Sequence, residues 1–211
     1  MRWVLVMALA VLAAGCQQTA RIDDRQSFFK EATRTYPGEN RERVLQAAER
    51  VLRQSDPADF EFDHSLYGFV ASRRYMVYAV LAAANGKERW DLQTEEGPEG
   101  LRAVLNVSES GVSHGGYSSI PFEARMASVP LYRLFWARVE YVLGKRKDWV
   151  SCESARAALG ENASPEALSG LCGITSDGRN APPPEAMAPL APPPRRGTPP
   201  RRSPAPMAAR S

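Results

Sequence analysis

Apolar residues recur along this chain with two different periods, and each change of period marks an element. After Asn40, the residues Val44, Leu45, Ala48, Val51 and Leu52 fall at i, i+1, i+4, i+7 and i+8. That spacing gathers them into one stripe of an amphipathic helix. Glu39, Glu42, Glu49, Arg43, Arg50 and Arg53 take the other faces, and Pro57 stops the helix. A second helix is predicted in LYRLFWARVEYVLGKRKDW, where Leu131, Leu134, Phe135, Arg138, Val139 and Val142 share a mostly apolar side. Ser128 is placed to cap it, and Pro130 sits where a missing N–H costs little. Gly144 and the basic run Lys145, Arg146, Lys147 close it.

Between these helices the period falls to two. Phe60, Phe62 and residues 65–67 predict a short strand, with Gly68 in a turn. Residues 69–84 are rich in aromatic and β-branched side chains. Residues 74–84 read as strand because Tyr75, Val77, Tyr78 and Val80 suit a pleated surface. A helix is the alternative there, with Ala82, Ala83 and Ala84 favouring it and Asn85-Gly86 as its C-cap. On the strand reading Asn85-Gly86 is a hairpin turn. Trp90 and Leu92 then alternate with Asp91 and Gln93. After the turn Gly97-Pro98-Glu99-Gly100, Leu101, Ala103, Leu105 and Val107 alternate with Arg102, Asn106 and Ser108. Residues 111–119, GVSHGGYSS, read as a loop. Residues 27–34 carry a helical turn or two, and two short helices are expected near 153–159 and 165–171.

The fold class predicted is α+β: an antiparallel sheet of about four strands flanked by two amphipathic helices. The chain divides into a signal segment (1–15), a tether and lead-in (16–38), the α+β domain (39–150), a small helical appendage (151–173) and a tail (174–211). The tail is dominated by Pro and Arg and has too little apolar content to bury. It is expected to be disordered with polyproline II bias.

The N-terminus adds an address. Arg2 precedes an apolar run over residues 4–14, too short to stay as a membrane span, which needs roughly 20 apolar residues. The run ends in LAAGC, with small residues directly before Cys16. This ending resembles the lipobox of bacterial lipoproteins. The resemblance implies cleavage before Cys16 and acylation of that residue. The family usually has Leu three places before the cysteine; here that place is Ala13, and Leu12 lies one step back. Two or more acyl chains anchor stably where one binds marginally. Gln17, rather than Asp, follows the cysteine, and in this resemblance that implies the outer membrane, facing the periplasm.

Charge sharpens the division. The 211-residue chain carries +3 in all, but residues 17–178 sum to −3 and residues 179–211 to +5. Arg195, Arg196, Arg201 and Arg202 stand between prolines, a pattern fit for an anionic envelope surface or an acidic protein. Nucleic acid is disfavoured as a partner by the export signal. With Cys16 acylated, Cys152 and Cys172 remain. In an oxidising compartment an even pair reads as a disulfide closing a loop of about 20 residues. Two free thiols or a zinc half-site are the alternatives, and the histidines, His64 and His114, lie far upstream for the latter.

Candidate chemistry is thin. Asp63-His64 are adjacent on a predicted strand and so point to opposite faces. Ser113-His114-Gly115-Gly116 holds a hydroxyl, an imidazole and a glycine-rich backbone, the parts of an acyl-transfer site, but neighbouring Ser and His are poor partners. There is no P-loop, G-x-G-x-x-G or H-E-x-x-H. Trp90, Trp136, Trp149, Tyr75, Tyr78, Tyr132 and Tyr141 fit either a core or the lining of a cavity. Residues 145–147 are a solvated helix end or a contact for anionic headgroups.

The segment RVLQAAERVLRQSDPADFEFDHSLYGFVASRR runs helix, strand, glycine turn, strand. In that order the chain is similar to the helix-grip and TBP-like domains of small periplasmic lipoproteins. The expectation is a non-catalytic outer-membrane lipoprotein without a cofactor, working beside envelope proteins in an assembly or transport complex. A lipid or small-ligand carrier with a cavity between sheet and helix is the first alternative. A hydrolase using residues 111–119 is the second.

Overall fold

The computed structural model describes residues 22, 24–55, 60–79, 82–115, 118–159, 168–172 and 189–191. The lipobox with Cys16, the signal segment and most of the Pro/Arg tail lie outside the described residues.

In chain order the elements are α1 (Arg25–Ala32), β1 (Thr33–Tyr36), α2 (Arg41–Arg53), β2 (Glu61–His64), β3 (Gly68–Ala79), β4 (Ala82–Gly97), β5 (Gly100–Gly115), β6 (Ser118–Arg125), α3 (Val129–Val142), α4 (Cys152–Leu159) and α5 (Ser169–Cys172). The fold is α+β. All strand pairs are antiparallel, in the order β1-β5-β4-β3-β2, with β6 also on β5. The sheet has six strands, more than the four expected.

The two main helices begin where the sequence placed their caps. The Asn40 side chain accepts from the Arg43 amide at 2.9 Å, and Ser128 Oγ accepts from the Leu131 amide at 3.4 Å. Both helices pack on one face of the sheet. Val44, Ala48, Val51 and Leu52 of α2 meet Leu131, Phe135, Val139 and Val142 of α3, and below them lie Phe69, Ala71, Trp90, Leu92, Ala103, Leu105 and Val107. The alternation predicted on β4 and β5 is the alternation observed.

Four readings need correction. Residues 65–67 are not strand: β2 ends at His64, and Gly68 opens β3. Asn85-Gly86 is not a turn; it lies inside β4. Residues 111–115 and 118–119 are not loop; they extend β5 and begin β6. The lead-in contains the strand β1 directly after α1. The glycines misled because they serve close approach rather than a bend. Tyr75, Gly86, Gly111 and Phe122 form one register row across four strands. A Cβ on Gly86 would come 2.6 Å from the Tyr75 ring, and one on Gly111 would come 2.9 Å from the Phe122 ring. Aromatic rings from the outer strands lie over glycines on the inner ones, a cross-strand pairing that rescues glycine in a sheet. Neither glycine has positive φ, whereas Gly100 in the β4–β5 turn does, at 124°.

The appendage is pegged by an arginine from the apolar stripe. Arg138 on α3 is 1% exposed. It donates to the carbonyls of Val150 (3.1 Å) and Leu171 (3.3 Å) and to Cys152 Sγ (3.2 Å), and it covers the Trp149 ring. Burial lowers its pKa to about 10. The expected disulfide joins Cys152 to Cys172 and so α4 to α5. From the tail, residues 189–191 rest on the ends of α2 and α3. The Leu190 amide donates to the Val142 carbonyl at 2.7 Å, and Arg43 donates to the Ala191 carbonyl.

Candidate functional site

The sheet outruns its helices. On the core-facing side burial stops at Arg73 on β3, Glu88 on β4 and Val107 on β5, and almost every described residue beyond is half-buried or exposed. A register row crosses the sheet at this boundary: Arg73 opposite Glu88, and Glu88 opposite Glu109. Arg73 clasps Glu88 with two bonds of 3.0 Å, and both side chains are buried. Trp90 Nε1 donates to the same carboxylate at 3.2 Å, and Phe60 lies under the guanidinium. This is a paired buried charge with its remaining lone pairs partly met.

Glu109, next in the row, has the Tyr75 hydroxyl at 3.3 Å. Burial pushes its pKa up, the Tyr75 bond pulls it down, and the Glu88 charge adds to the rise. Tyr75 in turn is pushed up to about 12 by burial and by the Glu109 charge. The signal for this row was present in the sequence. Glu88 keeps the parity of Trp90 and Leu92, and Arg73 keeps that of Phe69 and Ala71, so both had to face the core. A charge on a core-facing parity asks for a partner, and these two find each other.

Beyond the row, β3 to β6 form a projecting sheet. Met76 and Tyr78 on β3 and Ile120 on β6 are 57%, 76% and 63% exposed. β2 pairs only with Phe69, Val70, Ala71 and Ser72. Among the described residues, no strand covers the outer edge of β3 from Arg73 onward. The opposite edge strand, β6, contains Pro121, which lacks a donor.

Both candidate histidines are placed. His64 on β2 holds Glu49 of α2 at 2.9 Å and stacks on Phe62, which ties β2 to the helix layer. Asp63 is adjacent in sequence, and strand alternation sends it to the other face. His114 does not bond Ser113. Its Nδ1 lies 2.8 Å from Ser119 Oγ on β6, and its Nε2 lies 3.4 Å from the Asn85 amide. A hydroxyl and an imidazole thus meet on the open face of the projection, with an amide rather than a carboxylate behind them.

The aromatic candidates scatter. Trp90, Trp136 and Tyr132 are buried in the core, Tyr141 and Trp149 pack together near the appendage, and Tyr75 and Tyr78 lie on the projection. Lys145 reaches Glu39 at 3.2 Å. Among the described residues, no group of His, Cys, Asp or Glu could hold a metal ion, and no helix is long and apolar enough to cross a membrane. No protein-family model matches the chain, and neither does any curated protein or solved structure.

Proposed function

We propose that this chain is a lipid-anchored cell-envelope protein, attached through Cys16 to the outer membrane on its periplasmic side, whose folded domain is an interaction module. The observation that carries the reading is the projecting sheet. Among the described residues, no strand pairs with the outer edge of β3 from Arg74 to Ala79, and this stretch bears the exposed Met76 and Tyr78. Unguarded edges of this kind invite another strand, and strand addition is a recurring way of binding extended segments. The guarding proline on β6 leaves β3 as the favoured side.

Two further features support it. The helix-grip likeness fits a sheet with α2 before its long strands and α3 after them. The layer between sheet and helices is filled by large side chains such as Trp90, Phe135 and Leu105, which favours a binding surface over an internal carrier cavity. The test has two arms. Labelled palmitate enters the wild-type chain and is lost in Cys16→Ser, which also leaves the membrane fraction. A photo-crosslinking residue at Tyr78 captures an envelope protein in intact cells, while one at Arg102, on the sheet face beside the turn, does not. Absence of label, or equal capture from both positions, contradicts the proposal.

A further inference from the structure

β1 and β6 lie along the same edge of β5, β1 opposite Leu101, Arg102, Ala103 and Val104, and β6 from Ser108 onward. Between them the ladder is broken. There Val107 bonds instead to the Met126 amide (2.9 Å) and the Tyr132 hydroxyl (3.3 Å). α1 lies beside this break, and a cleft of about 640 Å³ opens between them. Phe28, Phe29 and Val104 give it an apolar wall, and Arg25 and Arg125 stand on its rim.

The charges are arranged for an anion. The Arg25 guanidinium sits 5.5 Å from the Phe29 ring centre and that of Arg125 sits 4.6 Å from the Phe28 ring centre. Among the described residues, neither is paired with a carboxylate. Asp24 also lines the cleft, but its oxygens accept from the Ser27 amide (2.9 Å) and the Ser27 hydroxyl (2.6 Å), capping α1. Asn106 Oδ1, on the cleft lining, is buried and finds no donor among the described residues. The cleft therefore offers two cations, an apolar wall and an acceptor awaiting a donor. A phosphate beside an acyl chain, with a hydroxyl nearby, meets all three.

Position selects the source of such a ligand. Ile22, on the cleft lining, is six residues from Cys16. An extended chain covers about 3.3–3.6 Å per residue, so the tether is at most about 20 Å long. This step rests on the anchoring at Cys16 proposed above; given that anchor, the cleft is held at the headgroup layer.

We propose that the cleft between α1 and the β1/β6 break binds one anionic phospholipid of the anchoring membrane, with its phosphate between Arg25 and Arg125 and its first methylenes on Phe28 and Val104. The test uses the full chain carrying Cys16→Ser and titration calorimetry with dihexanoyl-phosphatidylglycerol below its micelle concentration. The monomeric lipid keeps the basic tail from scoring as a multivalent vesicle contact. Binding is expected to saturate near one equivalent. Arg125→Gln and Arg25→Gln should each weaken it about tenfold, a loss of one ion-pair-sized contact. Arg102→Gln, whose guanidinium pairs with Glu95 at 3.7 Å on the sheet face, should leave it unchanged. Dihexanoyl-phosphatidylcholine and inorganic phosphate should each bind at least about tenfold more weakly. No saturable binding, equal binding of the two lipids, phosphate binding as tightly as the anionic lipid, or indifference to Arg125→Gln would each overturn the proposal. Palmitate labelling of the wild-type chain reads the anchor separately. A failed anchor shows as absent label, and a failed cleft shows in the calorimeter.

Discussion

Arg73→Met removes a guanidinium from the interior and leaves its partner's charge behind. The Arg73 and Glu88 side chains are 5% and 4% exposed, and two bonds of 3.0 Å join them. In the variant, Glu88 retains the Trp90 indole at 3.2 Å but loses its counter-ion. Breaking one side of a buried pair typically costs about 3–5 kcal/mol, because the remaining ion stays desolvated. Methionine keeps most of the volume, so the cavity contribution is small. The same reasoning predicts that Arg73→Met with Glu88→Leu recovers most of the loss, to within about 1–2 kcal/mol of wild type, since no buried ion is left. Urea denaturation of the wild type, both single variants and the double variant gives the four free energies and the coupling between the sites. An Arg73→Met loss below about 1 kcal/mol would refute the reasoning, since that is the size of an exposed pair. A double variant as unstable as the sum of the singles would refute it too.

Other consequences are read from pH and from the appendage. Glu109 has a raised pKa in the folded protein, so its ionisation works against folding above the ordinary carboxylate range. Glu109→Gln should therefore raise the melting temperature at neutral pH, with the gain fading as pH falls below the unfolded carboxylate value of about 4.3. Glu31 behaves oppositely. The Arg133 fork, at 2.7 and 3.0 Å, lowers its pKa, so its contribution is present above the unfolded value and is lost as pH falls through the folded one. Arg133→Ala should destabilise at neutral pH and converge on wild type in acid, as read by melting across the pH range. Cys152→Ser with Cys172→Ser should cost about 3 kcal/mol in the loop-entropy account and speed amide exchange in α4 and α5 before the sheet.

Much of the packed half of the molecule was legible in the sequence. The stripes of α2 and α3, their caps at Asn40 and Ser128, the alternation of β4 and β5 around Trp90 and Leu105, and the Cys152–Cys172 bridge all follow from local rules. In the projecting half the strand reading of residues 74–84 holds for 74–79 and 82–84, but the continuation of β4 and β5 through their glycines was not legible, for a physical reason. A glycine that bends the chain and a glycine that lets an aromatic ring cross it look alike in one dimension. Only the register that sets Tyr75 on Gly86 and Phe122 on Gly111 tells them apart. β1 was hidden because four residues after a helix carry too little pattern. Arg138 was placed on the apolar stripe and is buried there, but its role as the peg on which the appendage hangs was hidden, because the stripe alone does not show what a buried guanidinium bonds to. The cleft beside α1 depends on a break in the β5 ladder, which no single segment encodes.

The most direct test of the account is site-specific crosslinking along the outer edge of β3 in cells that express the wild-type chain. Photo-reactive residues at Met76 and Tyr78 should give the same discrete envelope adduct, and a proline at Arg74 should abolish it without changing membrane association or the melting temperature by more than a few degrees. Adducts that persist with the proline in place, or that form equally from Gln93 and Arg102, would contradict the claim that this projecting edge is where the protein meets its partner.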